Sequence, residues 1–369
     1  MAISEALRRL RAVAAVAATS ALMVGAALPA GAATVGTPLV GGLVAPLGLA
    51  IGNDGTVYVV EAFAGRITTV DKKGRRDVLL QTEEGLAGID AGGKGQTVFT
   101  TTVFPEDGAP ANTTLSRVTP QGKTRTLASL QAYEEAHNPD RGNEYGFVGA
   151  PADCLAQLPP FLQPYSGIVE SNPYAVAIVP GGYLVADAAA NAILKVARNG
   201  RVTTVAVLPP IPQVIDEAAA AALSEMIGEA IDDPDYQVPG CVVGRTYFAE
   251  AVPTDVEVGP DGHYYVSTLP GFPELPGAGS VWRINSRTGA VERVASGFTG
   301  AVDLAVGRDG VIYVAELFGG RISAFRNGVV STLVELQTPG AVEIGRDGRL
   351  YATTGVFPPG NGAVVVITP

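Results

Sequence analysis

The chain of 369 residues is short of the side chains that carry most enzymatic chemistry: two histidines, two cysteines, one tryptophan and three methionines, with only 17% of residues charged. His137 and His263 are expected on opposite faces of the fold derived below, which leaves no histidine pair, catalytic triad or His-based lyase centre. Zinc-type Cys/His spacing, a Gly-rich phosphate loop and a Gly-x-Ser-x-Gly elbow are likewise missing. Basic residues are outnumbered, 25 Lys and Arg against 36 Asp and Glu, so a net charge of -11 argues against nucleic acid as a partner.

Long apolar runs are confined to the N-terminus. Arg8, Arg9 and Arg11 precede an Ala-rich stretch from Ala12 to Leu28, then Pro29 and the small triplet Ala30-Gly31-Ala32. This is the layout of a secretory signal peptide with cleavage after Ala32; the run is too weakly apolar for the ~20-residue membrane span that would compete with it. Removal of three arginines and one glutamate takes the net charge to -13. The mature chain, residues 33–369, is expected outside the cell as a single domain and a monomer, with no transmembrane segment. In that setting an even cysteine count points to a Cys154–Cys241 disulfide.

What the chain has in abundance is turn chemistry: 46 glycines and 27 prolines. Asn53-Asp54-Gly55, Pro260-Asp261-Gly262, Arg308-Asp309-Gly310 and Arg346-Asp347-Gly348 each separate two β-rich runs and mark hairpins. Aligned on them, "LGLAIGNDGTVYVVEAFAGRITTV" and "VDLAVGRDGVIYVAELFGGRISAF" are close copies, and six units of about 40 residues follow the same order of four strands. The last unit stops after three strands, and "ATVGTPLV" at Ala33–Val40 is spare. An N-terminal strand that completes the final unit closes a six-bladed β-propeller; a sandwich would explain neither the equal spacing nor the truncated copy.

The repeat resembles the NHL-type motif of six-bladed propellers. Two interruptions sharpen the likeness: "AYEEAHNPDRGNEYGFVGAPADC" with "YSGIVESNPYAVAIVPGGYLVADAAANAILKV", and "VPTDVEVGPDGHYYVSTLPGFP", are similar to the ScyD/ScyE family of secreted propellers across the mature chain. The resemblance implies fold and export, and carries no catalytic residues.

Topology assigns sides. B–C turns and D–A links share one face, so the insertions 131–172 and 209–252, both D–A links, cap one mouth of the channel. "QVIDEAAAAALSEMIGEAI" in the second reads as a helix. The capped face, with Tyr133, His137, Tyr145 and Phe147 from the first insertion and Phe104, Phe272 and Phe357 from B–C turns, is the candidate binding surface for a small molecule or an extracellular protein.

Acids alternate around the ring. Blades 1, 3 and 5 end strand B with Glu61, Asp187 and Glu316; blades 2, 4 and 6 have Thr102, Thr268 and Thr353 there, each followed by a Phe-Pro pair, and carry Asp90, Glu257 and Glu343 on strand A. One reading is a channel metal site, calcium in type, built from Glu61, Asp187, Glu316, Asp255 and Asp303. The other is structural: each blade needs one carboxylate to accept backbone N–H groups at its B–C turn, and Arg66 and Arg321 neutralise Glu61 and Glu316. The structural reading explains why the acid moves between strands but never doubles. "NPDRGNE", Asn138–Glu144, is expected as a solvated loop, and Trp282 as core. The resulting expectation is a non-catalytic binding propeller, with a calcium-dependent lactonase of the gluconolactonase type and a structural envelope module as alternatives.

Overall fold

The computed structural model describes residues 33–93, 96–105 and 110–368; the proposed signal peptide lies outside them. Four-stranded antiparallel sheets in the order A-B-C-D repeat around a ring. Strand A of each blade is Pro46–Ile51, Gly85–Ala91, Pro173–Val179, Ala251–Val258, Ala301–Val306 and Val342–Ile344 in turn. The ring is six-bladed, as the repeats require. It closes at blade 6 with two short pieces from the N-terminus rather than one strand: Thr34–Val35 and Val40–Leu43 both pair with Gly362–Thr368.

The four Asp-Gly hairpins share one construction. Each aspartate accepts the backbone N–H two residues on, as Asp54 does from Thr56 at 3.0 Å and Asp347 from Arg349 at 3.1 Å, while the following glycine takes a positive φ near 80°. Neighbouring blades cover both faces of the inner strands, as in Val57–Glu61 and Gly182–Asp187, whereas outer strands such as Arg76–Gln81 and Val329–Glu335 stay exposed or half-buried. Each of the six inter-blade spaces holds its own apolar cluster; between blades 3 and 4, for example, Leu184 and Ile193 pack on Val256, Val266 and Trp282. Trp282 is core, and its indole N–H donates to Thr268 at 3.0 Å.

The insertions build one cap. Helix α1 (Leu130–His137), capped by the Ser129 hydroxyl, was not foreseen; it opens the first insertion and is followed by the short helix α2 (Ala152–Leu155). The expected helix of the second insertion is α3 (Glu217–Ile231), starting at Asp216, whose carboxylate accepts Ala219 N–H at 2.8 Å. Gln213 and Val214, expected in it, belong instead to strand Ile211–Val214. That strand's hairpin with Thr246–Ala249 joins the Glu144–Tyr145/Tyr165–Ser166 ladder through reciprocal 2.9 Å bonds between Gly146 and Phe248. The Cys154–Cys241 disulfide forms, with Cα atoms 5.9 Å apart, inside an apolar core of the cap's own that includes Phe147, Leu162, Leu223 and Tyr247. Among the described residues no helix is long and apolar enough to cross a membrane.

Candidate functional site

Strands A pack against one another around the axis, and their exposed edges form the channel wall. Two tiers of side chains, two residues apart on each strand, point at strand A of the next blade. The tier nearer the cap is Gly48, Gly88, Ala175, Asp255, Asp303 and Ala341; the deeper one is Ala50, Asp90, Ala177, Glu257, Ala305 and Glu343. Around blades 1 to 3 the wall is closed tightly: a Cβ on Gly48 would lie 2.7 Å from the Ala87 carbonyl oxygen, and one on Gly88 2.7 Å from Ala175 Cα. Blades 4 to 6 contribute the acids of a narrow cavity of about 20 Å³, room for little more than a water molecule, lined also by Tyr174 and Thr254.

An edge strand leaves N–H groups without a ladder partner. The acids supply one across the blade boundary: Asp90 accepts Ile178 N–H at 2.6 Å, Asp255 accepts Leu304 N–H at 3.2 Å, and Asp303 accepts Val342 N–H at 3.0 Å. Burial is the main force raising their pKa values. Asp255 is pushed up to about 7, with Asp90 adding repulsion; burial and mutual repulsion hold Glu257, Asp303 and Glu343 well above the usual carboxylate range. At neutral pH the channel is therefore a partly protonated acidic wall.

Glu61, Asp187 and Glu316 belong elsewhere. Each is fully buried beside its own B–C turn and accepts an N–H from the chain entering strand A of its own blade: Val44, Asn172 and Thr299 at 2.8, 2.7 and 2.7 Å. Strand-B and strand-A acids thus serve different donors; Asp187 also takes the Ala190 N–H of its B–C turn at 3.4 Å, as expected, while the strand-A acids serve the next blade instead. Arg66 binds Glu61 through Nε and Nη2 at 2.8 and 2.7 Å, Arg76 adds a bond at 2.9 Å, and Thr68 adds its hydroxyl. Burial alone would raise the Glu61 pKa; Arg66, Thr68 and the Val44 N–H more than offset it and hold the group below its ordinary value. Arg321 and Ser323 bind Glu316 in the matching arrangement of side-chain hydrogen bonds. Asp187 has no arginine, only Ser171 at 2.6 Å and backbone donors, and burial raises its pKa. The five residues expected at one metal centre are thereby divided between two places, and among the described residues no three Asp, Glu, His or Cys side chains are arranged to hold a metal ion.

The aromatic residues also divide. Tyr145 and Phe147 are fully buried: Phe147 packs edge-on against Tyr247 in the cap core, and the Tyr145 hydroxyl donates to Asp140 at 3.0 Å. They hold the cap together and offer nothing to a ligand at its surface. Tyr133 stacks on His137 along α1 and bonds Thr204, at the outer side of blade 3. Phe272 packs edge-on against Phe161 of the cap. What remains are the B–C-turn rings of blades 1, 2, 5 and 6, the blades not preceded by an insertion. Phe104 lies over Gly85 and Phe318 over Gly300, so close that a Cβ on either glycine would meet the ring at 2.6 or 2.7 Å; Phe63 and Phe357 sit with centroids 6.0 Å apart. Phe63, Phe104 and Phe318 are 59, 57 and 44% exposed. Phe63 and Phe318 escaped the sequence reading because they stand inside the copied "EAFAGR" and "ELFGGR" turns and read as repeat positions.

Fold and site together define a six-bladed β-propeller with insertions capping one face, exposed phenylalanines on B–C turns of that face, and an acid-lined channel. No protein family and no curated protein matches the chain by sequence. Among solved structures a streptogramin B lyase matches 91% of this chain and 98% of its own at 15% identity and a TM-score of 0.51. A gluconolactonase from Xanthomonas campestris matches 89% and 87% at 13% identity and 0.52, and a soluble aldose sugar dehydrogenase from Escherichia coli, in the apo form, 91% and 99% at 10% identity and 0.54. At these identities the likeness is one of fold, and a lyase, a lactonase and a dehydrogenase on one scaffold show how little fold says of chemistry.

Proposed function

We propose that the chain is an exported, ligand-binding propeller, in keeping with its resemblance to the ScyD/ScyE family, and that its ligand is a small aromatic or amphipathic molecule with an ammonium head. The observation that carries this reading is the exposure of Phe63, Phe104 and Phe318 on B–C turns of the face onto which the acid-lined channel opens. Aromatic rims accept flat apolar bodies and cations, and an ammonium group entering the channel mouth would offset the cost of ionising Asp255 and Asp303. Calorimetric titration with phenethylamine and with the uncharged 2-phenylethanol tests it. The amine should bind at least ten times more tightly, and Phe104→Ala should weaken it at least tenfold without changing the melting temperature. Equal binding of the alcohol would overturn the reading.

A second reading is a metal-dependent lactonase, which the channel carboxylates and the fold likeness to gluconolactonases favour. Against it stands the hydrogen bonding of Asp90, Asp255 and Asp303 to neighbouring blades, which leaves them no ready-made cage. Hydrolysis of an aldonolactone that depends on added calcium or manganese and is lost in Asp303→Asn would decide for it.

A further inference from the structure

Beside the cap, and apart from the channel, lies a group of buried oxygens that the protein itself does not satisfy. Glu134, on the inward face of α1, has no exposed surface, and neither of its carboxylate oxygens has a protein hydrogen-bond donor. The same holds for Oδ1 of Asp140, which is 1% exposed, for Oδ1 of the fully buried Asn191, and for Oδ1 of Asn138. These residues come from one place. Asn191 donates its amide to Asp140 Oδ2 at 2.8 Å, Asp140 presses against Gly167 so that a Cβ there would lie 2.0 Å from Oδ1, and Asn138 donates to the Gly167 carbonyl at 3.0 Å. Burial first, and then the charges of Asp187 and Asp140, push the Glu134 carboxyl up to about 8, so the three groups lie within electrostatic reach of one another. The segment expected as a solvated loop is thus, at Asp140, among the most buried polar parts of the molecule.

Buried carboxylates survive when paired with a cation, bonded to donors, bound to a metal, or neutralised by a proton. Neither of the first two applies to Glu134 among the described residues: no arginine or lysine acts on it, and its donors are missing. Orphaned amide oxygens next to orphaned carboxylate oxygens form a donor set of one chemical type, hard and anionic or carbonyl-like, which is what Ca²⁺ takes and what softer metals do not. Two carboxylates completed by amide oxygens make up the donor set, with no third acid required. The position has a mechanical meaning: Glu134, Asn138 and Asp140 belong to the first insertion, Asp187 and Asn191 to the B–C turn of blade 3.

We propose that Glu134, Asp140 and Asn191, with Asn138 and Asp187 at the margin, form a site for one calcium ion that pins the first insertion to blade 3. The site is separate from the channel and independent of the ligand proposed for it.

The test is calcium titration of the purified, EDTA-treated chain at pH 7.5, read by thermal melting, by limited proteolysis of the cap, and by terbium luminescence excited through tyrosine. Tyr145 bonds Asp140 directly, so terbium in this site should be sensitised. The expected result is one ion per chain, a rise in melting temperature of about 4 °C at 100 times Kd, and slower cleavage within residues 131–172. Glu134→Gln should fold, since no hydrogen bond is lost, and should weaken calcium at least tenfold, whereas the channel variant Glu257→Gln/Glu343→Gln should keep the full calcium shift. Three results would each overturn the proposal: no shift at 5 mM calcium, with stability rising instead as pH is lowered from 8.5 to 6, which marks a proton held by Glu134; a calcium shift unchanged in Glu134→Gln; or a shift lost only in the channel variant.

Discussion

Removing Arg66 should cost far less than removing Arg321, although the two occupy the same place in copied turns. Glu61 and Glu316 are both fully buried, and each receives two bonds from its arginine. In blade 1, however, Arg76 enters from strand D and also binds Glu61, whereas the residue at that register position in blade 5, paired with Phe325 as Arg76 is with Val70, is Val330. Arg66→Ala therefore leaves Glu61 with one guanidinium, the Thr68 hydroxyl and the Val44 N–H. The guanidiniums are 26 and 32% exposed, so losing one of two costs about 1 kcal/mol. Arg321→Ala leaves a buried carboxylate with no cation bonded to it among the described residues, a loss of about 3 kcal/mol. Urea unfolding followed by circular dichroism measures both, with a double variant Arg66→Ala/Arg76→Ala expected to fall to the level of Arg321→Ala. Equal costs for the two single variants, or a larger one for Arg66→Ala, would refute the view that these glutamates are buried anchors whose stability is set by the number of guanidiniums.

The acids also predict opposite pH behaviour. Glu61, with its pKa depressed in the folded chain, contributes stability above its unfolded value of about 4.5 that is lost as pH falls through the folded pKa. The channel acids have raised values, so their contribution is present below about pH 4 and is lost as pH rises through the folded pKa, about 7 for Asp255. Glu257→Gln should accordingly raise the melting temperature at pH 8 and have little effect at pH 4, as scanning calorimetry at the two pH values would show. Cys154→Ser/Cys241→Ser opens an 87-residue loop, worth about 4.5 kcal/mol on chain-entropy grounds, and should expose the cap to proteolysis before the blades. Deleting residues 33–43 removes both closing pieces of blade 6, and size-exclusion chromatography should then show aggregation in place of a compact species.

Some of this molecule is written locally and some is not. Hairpins, blade count and ring closure depend on period-2 patterning, on Asp-Gly pairs and on a missing strand, all of which lie within a few tens of residues, so the repeat announces them. Helix α1 was also legible in principle, from Ser129 as cap and the helix-forming run Leu130–His137, but its placement among prolines and aromatics hid it. Tyr145 and Phe147 look like surface aromatics in a long loop; only the second insertion, folding over them from about 100 residues away, makes them core. The alternation of acids was visible, while their meaning was not, because the donors that distinguish one carboxylate from another come from across a blade boundary: Ile178 for Asp90, Val342 for Asp303.

The amino-acid sequence by itself determined the six-bladed ring, the half-capped face and the disulfide, because turn chemistry and strand period follow from short-range chemistry and two cysteines allow one pairing. Tertiary structure alone decided which acids are anchored, which face the channel and which, at Glu134 and Asp140, are buried beside the Asn191 amide with oxygens unsatisfied. Hydrogen-bond satisfaction and burial are properties of a place in space, and residues 51 and more positions apart meet there.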